Sequence, residues 1–325
     1  MQISRRAAIA AAAASLAAAT VTAAFAQGWP AKPIRLVVPF PAGGGTDIIA
    51  RELANKMQSS GYNFVIDNKP GSGGNLGVDA AAKAPADGYT LVMGQTSNLA
   101  INPTLYPKLP YDPVKDLTPV GLVATSPLVI VASAESPFKT LADVVKASKE
   151  KPGSINYASS GNGTVSHLAA ESFQKAAGIK LTHIPYKGAS QGVTDVISGQ
   201  VQLYVSSVPT LIAHIKSGKM RPIAVTSSRR VEDLPNVPTI AESGYKGFDA
   251  VTWFGILGPA NLPKDIVAKL NADMQKALKD PVLAKKLGDQ GADVTAGAPD
   301  AFGKLIHDDI GRWGKIVKES GAKID

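Results

Sequence analysis

The chain has 325 residues, 45% of them hydrophobic and 18% charged, which is the composition of a globular protein long enough for two domains. It contains no cysteine, and this excludes disulfides, thiol nucleophiles and cysteine-bound zinc or iron–sulfur sites. Its formal charge of +8 comes from scattered lysines and arginines without a basic block or a basic–aromatic motif, so no nucleic acid partner is expected.

The N-terminus reads as a signal peptide over residues 1–26. Arg5 and Arg6 precede a long alanine-rich apolar run, and Ala24-Phe25-Ala26 has the small-x-small form of a cleavage site. Cleavage after Ala26 removes two arginines and no acid, which lowers the formal charge from +8 to +6.

From Pro33 onward, short apolar runs alternate with segments of helical period. IRLVVPF, NFVID and YTLVMG read as strands, followed by PLVIVAS, SINYAS, LTHIPY, VQLYVSS and RPIAVTS. Several are continuously apolar, as strands covered on both faces are. Between them, Ile49, Leu53 and Met57 mark one helix face, and Val165, Ala169 and Phe173 another. The alternation predicts an α/β fold with mostly parallel sheets flanked by helices. After residue 259 the pattern turns helical, with Ile266, Leu270, Met274 and Leu278 four apart and further helices over 281–289 and 299–319. These helices are expected to pack on the first domain.

Two extended apolar segments, 121–133 and 248–259, read as crossings between domains. If the chain leaves near Thr125 and returns near Val251, the second domain is an insertion. The division is then residues 27–124 with 252–325 for one lobe and 125–251 for the other, with a hinge of two crossings.

Candidate chemistry sits in glycine loops that follow strands. In PFPAGGGTD (39–47), three glycines open a helix, and the first amide N–H groups of a helix lack intrahelical partners and favour negative charge. Such a loop is an anion site. Phe40 can wall it, Ala42, Gly43 and Gly44 bare its backbone, and Asp47 can accept the loop's own N–H groups and fix its shape. The alternative is a plain structural turn. The pattern recurs in SSGNGT, where Ser159, Ser160, Gly161, Gly163 and Thr164 precede a second helix. Two such loops on opposite lobes can grip one anion, at the carboxyl ends of strands where α/β sheets bind ligands. A third loop, NKPGSGGNLG, can border the pocket through Gly74, although a turn serves equally well. Strand ends add Thr96, Ser97 and Asn98, then Tyr186, Lys187 and Gly188, then Ser206 and Ser207.

Support for catalysis is thin. Neither H-E-x-x-H nor a G-x-S-x-G elbow occurs, and no phosphate-binding G-x-x-x-x-G-K-[ST] is present. No cofactor or metal is expected. A Ser–His pair from Ser159 or Ser160 with His167 would make a secreted hydrolase the alternative.

The runs PFPAGGGTD, KPGSGGNLGVDAAAKAPADGYTL, INPTLYPKLPYDPVKDLTPV, SSGNGTVSHLAAESF, HIPYKGASQGVTDVISGQV and LPNVPTIAESGYKGFDAVTWFGILGPANLP resemble the Bug family, from about Trp29 to the last helices. These are periplasmic solute receptors of tripartite tricarboxylate transporters. The resemblance implies a two-lobed Venus flytrap that holds a small carboxylate without catalysis. It implies a periplasmic location, a monomer, and an inner-membrane permease as partner. It also implies that backbone N–H groups, hydroxyls and bridging waters of Phe40–Asp47 and Ser159–Thr164 hold the carboxylate in place of an arginine. Family ligands span di- and tricarboxylates, acidic amino acids, aromatic acids and nicotinate-like acids, and some members bind amides. The same pocket also suits a ligand-dependent sensor subunit for a membrane kinase.

Overall fold

The computed structural model describes residues 28–324, so the expected signal peptide over 1–26 lies outside the described residues. The chain opens with β1 (Ile34–Val38), α1 (Gly45–Met57), β2 (Phe64–Asn68), α2 (Asn75–Ala82) and β3 (Thr90–Gln95). Ile34, Leu36, Val37 and Val38 are all buried, because the strand is covered on both faces. α1 buries Ile49, Leu53 and Met57 at four-residue spacing. Removing one such side chain, as in Leu53→Ala, costs about 2–5 kcal/mol. After β3 the backbone makes a wide helical turn, Ser97–Ile101, that runs into the short α3 (Asn102–Leu105).

β4 (Leu117–Ser133) is a single strand of 17 residues. Beyond it lie α4 (Leu141–Glu150), β5 (Asn156–Ser159), α5 (Val165–Ala177), β6 (Thr182–Pro185), α6 (Ala189–Ile197), β7 (Leu203–Ser207), α7 (Val208–Lys216) and β8 (Met220–Val225). The chain ends with β9 (Val251–Pro259), α8 (Lys264–Leu278), α9 (Pro281–Gly288), β10 (Asp293–Val294) and α10 (Pro299–Ser320).

The strands form one continuous mixed sheet in the order β2-β1-β3-β9-β4-β7-β5-β6, with β8 and β10 also paired to β4. β1 runs parallel to β2 and β3, and β5 runs parallel to β6 and β7, as the βα alternation predicts. β9 is antiparallel to both β3 and β4. The long β4 joins the two halves by exchanging partners. It pairs with β9 as far as Pro127↔Val251, then with β7 and β8 from Leu128 and Val129 onward. The two segments that read as crossings are thus one antiparallel pair up to that exchange.

Helices cover both faces. In the first half, α1, α8 and α9 enclose a core with β1, β3 and β9, including Leu36, Met93, Ile256, Leu270, Met274 and Leu287. α10 contributes Phe302, Ile306, Trp313 and Val317 to a second core shared with Trp253 and Leu257. Gly255 permits this approach, since a Cβ there would lie 2.3 Å from the Phe302 ring. Trp253 Nε1–H donates to Asp309 at 2.6 Å and locks α10 to β9.

Candidate functional site

Four helices start at one cavity between the two halves of the sheet. The cavity encloses about 50 Å³. α1 supplies Gly44, Gly45 and Thr46; α5 supplies Thr164, Val165 and Ser166; α6 supplies Gly188 and Ala189; α7 supplies Ser207 and Thr210. Strand ends add Gln95, Ser206 and Thr252, while Phe40, Leu128 and Phe254 give apolar wall. A helix N-terminus carries the equivalent of about half a positive charge. Four of them face the cavity, and among the described residues no lysine, arginine, aspartate or glutamate lines it. The arrangement is an anion site made from backbone dipoles and hydroxyls.

Thr164 Oγ1 caps α5 by accepting from His167 N–H, whereas the other three N-termini carry no side-chain cap. Gly44, Gly188 and Ser207 occupy the N-cap positions of α1, α6 and α7, and none uses a side chain to cap its helix. Two bonds join the halves of the sheet here. Gly45 N–H donates to Thr210 Oγ1 at 3.0 Å, and Val165 N–H donates to Ser97 Oγ at 3.1 Å. Each half therefore offers a helix amide to a hydroxyl of the other.

Asp47 sits in the first turn of α1 but outside the cavity. Its carboxylate accepts from Gly43 N–H at 2.9 Å, Arg51 Nε at 2.8 Å and Asn68 Nδ2 at 2.9 Å. Burial alone would raise its pKa, but the hydrogen bonds from Arg51, Gly43 and Asn68, with the Arg51 charge, hold it below the usual carboxylate range. The side chain is 4% exposed against 48% for Arg51. Asp47 thus fixes the loop, and its charge is offset by a half-exposed arginine that does not line the cavity.

A second, larger chamber of about 590 Å³ adjoins the first. Its floor is the loop Gly71–Gly74, whose four residues all have positive φ. Ser72, at φ 50°, is a strained position for a residue with a Cβ. At Gly74 (φ 94°) a Cβ would lie 2.7 Å from Asn98 Nδ2 and 3.1 Å from the Phe40 ring, so only glycine lets this loop close on Phe40.

The chain is similar to known proteins along most of its length. Residues 49–322 match the "Tripartite tricarboxylate transporter family receptor" family. The chain belongs to this receptor family. Its relatives include Protein BugT of Bordetella pertussis, 38% identical over 92% of each chain. Among solved structures, R. palustris Rpa4515 with adipate superposes with a TM-score of 0.88 at 34% identity, covering 91% of this chain and all of that one. MatC (Rpa3494) from Rhodopseudomonas palustris with bound malate gives a TM-score of 0.84 at 31% identity, covering 89% of this chain and all of that one. The receptor shares the α/β fold of periplasmic binding proteins, and its family is one of solute-binding receptors. No helix among the described residues is long and apolar enough to cross a membrane.

In this receptor the residues singled out from sequence fall into three places. Phe40, Gly44, Ser160, Thr164 and Ser206 line the inner cavity. Gly74, Gly161 and Tyr186 line the adjoining chamber, which Phe40 and Ser160 also border. Ala42, Gly43, Asp47, Thr96, Asn98, Ser159 and Gly163 line neither. Ala42 is exposed, and Gly43 is tied to Asp47. Thr96 Oγ1 accepts from Trp253 N–H at 3.0 Å, Asn98 Oδ1 accepts from Gln95 N–H at 3.1 Å, and Gly163 N–H points to His167 Nδ1 at 3.4 Å.

Ser159 has a histidine partner, but it is not His167. Its Oγ lies 2.6 Å from His183 Nε2 and accepts from Gly161 N–H at 3.1 Å. His183 stacks on His167 at 4.2 Å and on Tyr157 at 4.8 Å. Burial and the neighbouring His167 push the His183 pKa down to about 3, so the ring is neutral at ordinary pH. Sequence reasoning chose His167 because it lies close in the chain, whereas β6 brings His183 alongside β5 through Tyr157↔His183. The pair braces the second loop from beneath and lines neither chamber.

Gly45 and Thr46, within the loop Phe40–Asp47 named from sequence, line the cavity, whereas sequence reasoning missed Gln95, Ser166, Ala189, Thr210 and Thr252. A signal existed for the α7 group. Ser207 with Pro209 just inside the helix is a helix-start pattern, and Thr210 lies in its first turn.

Proposed function

We propose that this receptor captures a small carboxylate between two lobes, residues 27–124 with 252–325 and residues 125–251. It would deliver the ligand to the inner-membrane permease of a tripartite tricarboxylate transporter. The observation that carries this reading is the convergence of four helix N-termini on a cavity lined by no charged side chain. A carboxylate there meets amide N–H groups and hydroxyls, and its charge is stabilised without the large desolvation cost of a buried ion pair. The adipate and malate bound to two structural neighbours support the carboxylate class. The leader read at 1–26 and the family together support export to the periplasm.

Ligand contact with both halves would favour the closed form over an open one, because only closure brings both pairs of helices onto one anion. The test is thermal unfolding of refolded protein against citrate, succinate, malate, adipate, glutamate, benzoate and nicotinate, with nicotinamide as the uncharged control. A ligand at a hundred times its Kd adds about 2.7 kcal/mol. A shift with an acid, and none with its amide, is the expected outcome. Equal shifts for acid and amide, or no shift with any acid, would overturn the carboxylate reading.

A further inference from the structure

The inner cavity, at about 50 Å³, is the smaller of two adjoining spaces. Phe40, Pro41 and Ser160 line both the inner cavity and the second chamber, which is about 590 Å³ and so more than ten times larger. The path out of the first leads past these residues into the second.

The second chamber has a character of its own. Phe40, Tyr106 and Tyr186 give it aromatic walls. The Tyr186 hydroxyl is committed to Asp195 at 2.6 Å, which leaves the ring as lining. Among the described residues, Lys187 is the one charged residue that lines it and none of their carboxylates pairs with it. Lys187 also sits at the junction. The next residue, Gly188, lines the inner cavity and packs on Pro41, where a Cβ would lie 2.5 Å from Pro41 Cγ.

Resting on the carboxylate reading above, we propose that this chamber is a distal subsite. The ligand is then an elongated dicarboxylic acid: one carboxylate sits at the helix N-termini, the chain lies along the aromatic walls, and the second carboxylate meets Lys187. Apolar walls bind the methylene chain by burial, and the lysine distinguishes a charged far end from a neutral one.

The test compares each straight-chain diacid from malonate to suberate with its monomethyl ester, by calorimetry on the refolded protein. The quantity read is the affinity ratio of diacid to ester, halved because a diacid can enter by either of its two equivalent carboxylates. It should be near unity for malonate, rise beyond succinate, and reach roughly fivefold at low salt, as for a solvent-accessible ion pair. It should fall toward unity in Lys187→Met and at high salt, and persist in Lys187→Arg. Lys187 is exposed, so thermal unfolding without ligand should be the same in both variants. Acids that bind with a ratio indifferent to Lys187→Met would overturn the distal subsite while leaving the carboxylate reading intact. Binding of neither diacids nor esters would overturn both.

Discussion

Gly45 and Thr210 are 165 residues apart in the chain, yet the Gly45 amide donates to Thr210 Oγ1 at 3.0 Å. The bond ties the start of α1 to the start of α7 across the cavity. Its counterpart, Val165 N–H to Ser97 Oγ, ties the start of α5 to the turn after β3. The two halves of the sheet meet through helix amides and hydroxyls, the same groups that would hold an anion.

The fit at Gly45 leaves no room for a side chain. A Cβ there would lie 2.5 Å from Ser207 Oγ, 3.5 Å from Thr210 Oγ1 and 3.6 Å from Pro209 Cβ. The backbone at Gly45 is helical, so a substitution strains nothing within α1 itself. Under the two-lobe reading proposed above, the clash belongs to the closed arrangement alone. Gly45→Val should therefore keep its circular dichroism and unliganded Tm but lose the ligand-induced Tm shift. Small-angle scattering should show that it fails to contract when acid is added. A full ligand shift in this variant would mean that α1 does not close on α7.

Ser97→Ala tests the second bond. Removing Oγ leaves the Val165 N–H without its partner in a buried position, and such an orphan costs about 1–3 kcal/mol. In an open form water would replace the hydroxyl, so the loss should fall on closure. Affinity for the bound acid should drop roughly tenfold, the equivalent of about 1.4 kcal/mol, with little change in unliganded Tm. Calorimetric titration reads the first and thermal unfolding the second. A large loss of unliganded Tm with unchanged affinity would place the bond in the resting structure instead.

The strand–helix alternation and the two glycine loops were legible because each is local. A buried strand declares itself in a run such as IRLVV, and a helix start in the glycines that precede it. The parts that were not legible depend on which strands lie side by side. The 17 residues of β4 read as an extended crossing, but nothing in their pattern says that they exchange partners at Pro127 and Leu128. Thr96 and Asn98 looked like free polar ends of a strand. The wide turn at Ser97–Ile101 instead directs their side chains to Trp253 and Gln95 and brings Ser97 to the cavity. Ser159 found His183 in place of His167 because β5 and β6 are adjacent, a pairing that chain distance hides.

Asp47→Asn should loosen the first loop and change the acid limb of stability. The folded carboxylate titrates below its ordinary value. Its stabilisation is therefore fully present above the unfolded pKa of about 3.9 and is lost as pH falls through the lower folded value. Three hydrogen bonds, one from a half-exposed arginine, suggest a cost of about 2 kcal/mol for the asparagine, or a Tm lower by about 3 °C at this chain length. The deficit should hold from pH 8 to 5 and shrink below pH 4, read by thermal unfolding across that range. A deficit that stays constant down to pH 3 would show that the carboxylate charge contributes nothing.

His183 gives the opposite side of the same linkage. Its folded pKa is about 3, lowered from 6.5 first by burial and then by the His167 ring stacked on it. Between about pH 6.5 and 3 the unfolded chain binds a proton that the folded ring does not accept. Stability is greatest above that window and falls as pH is lowered through it. His183→Gln removes the titration while keeping a polar group opposite Ser159 Oγ. Its Tm should be lower than the parent's at pH 7.5, where the stack with Tyr157 and His167 is lost. From pH 6.5 to 5, above the range where ordinary carboxylates titrate, its Tm should decline less steeply than the parent's. The two curves should therefore converge as the solution is acidified. Parallel curves through that interval would mean that His183 takes up its proton in the folded protein as readily as in the unfolded chain, and that the second loop is not braced by a neutral ring.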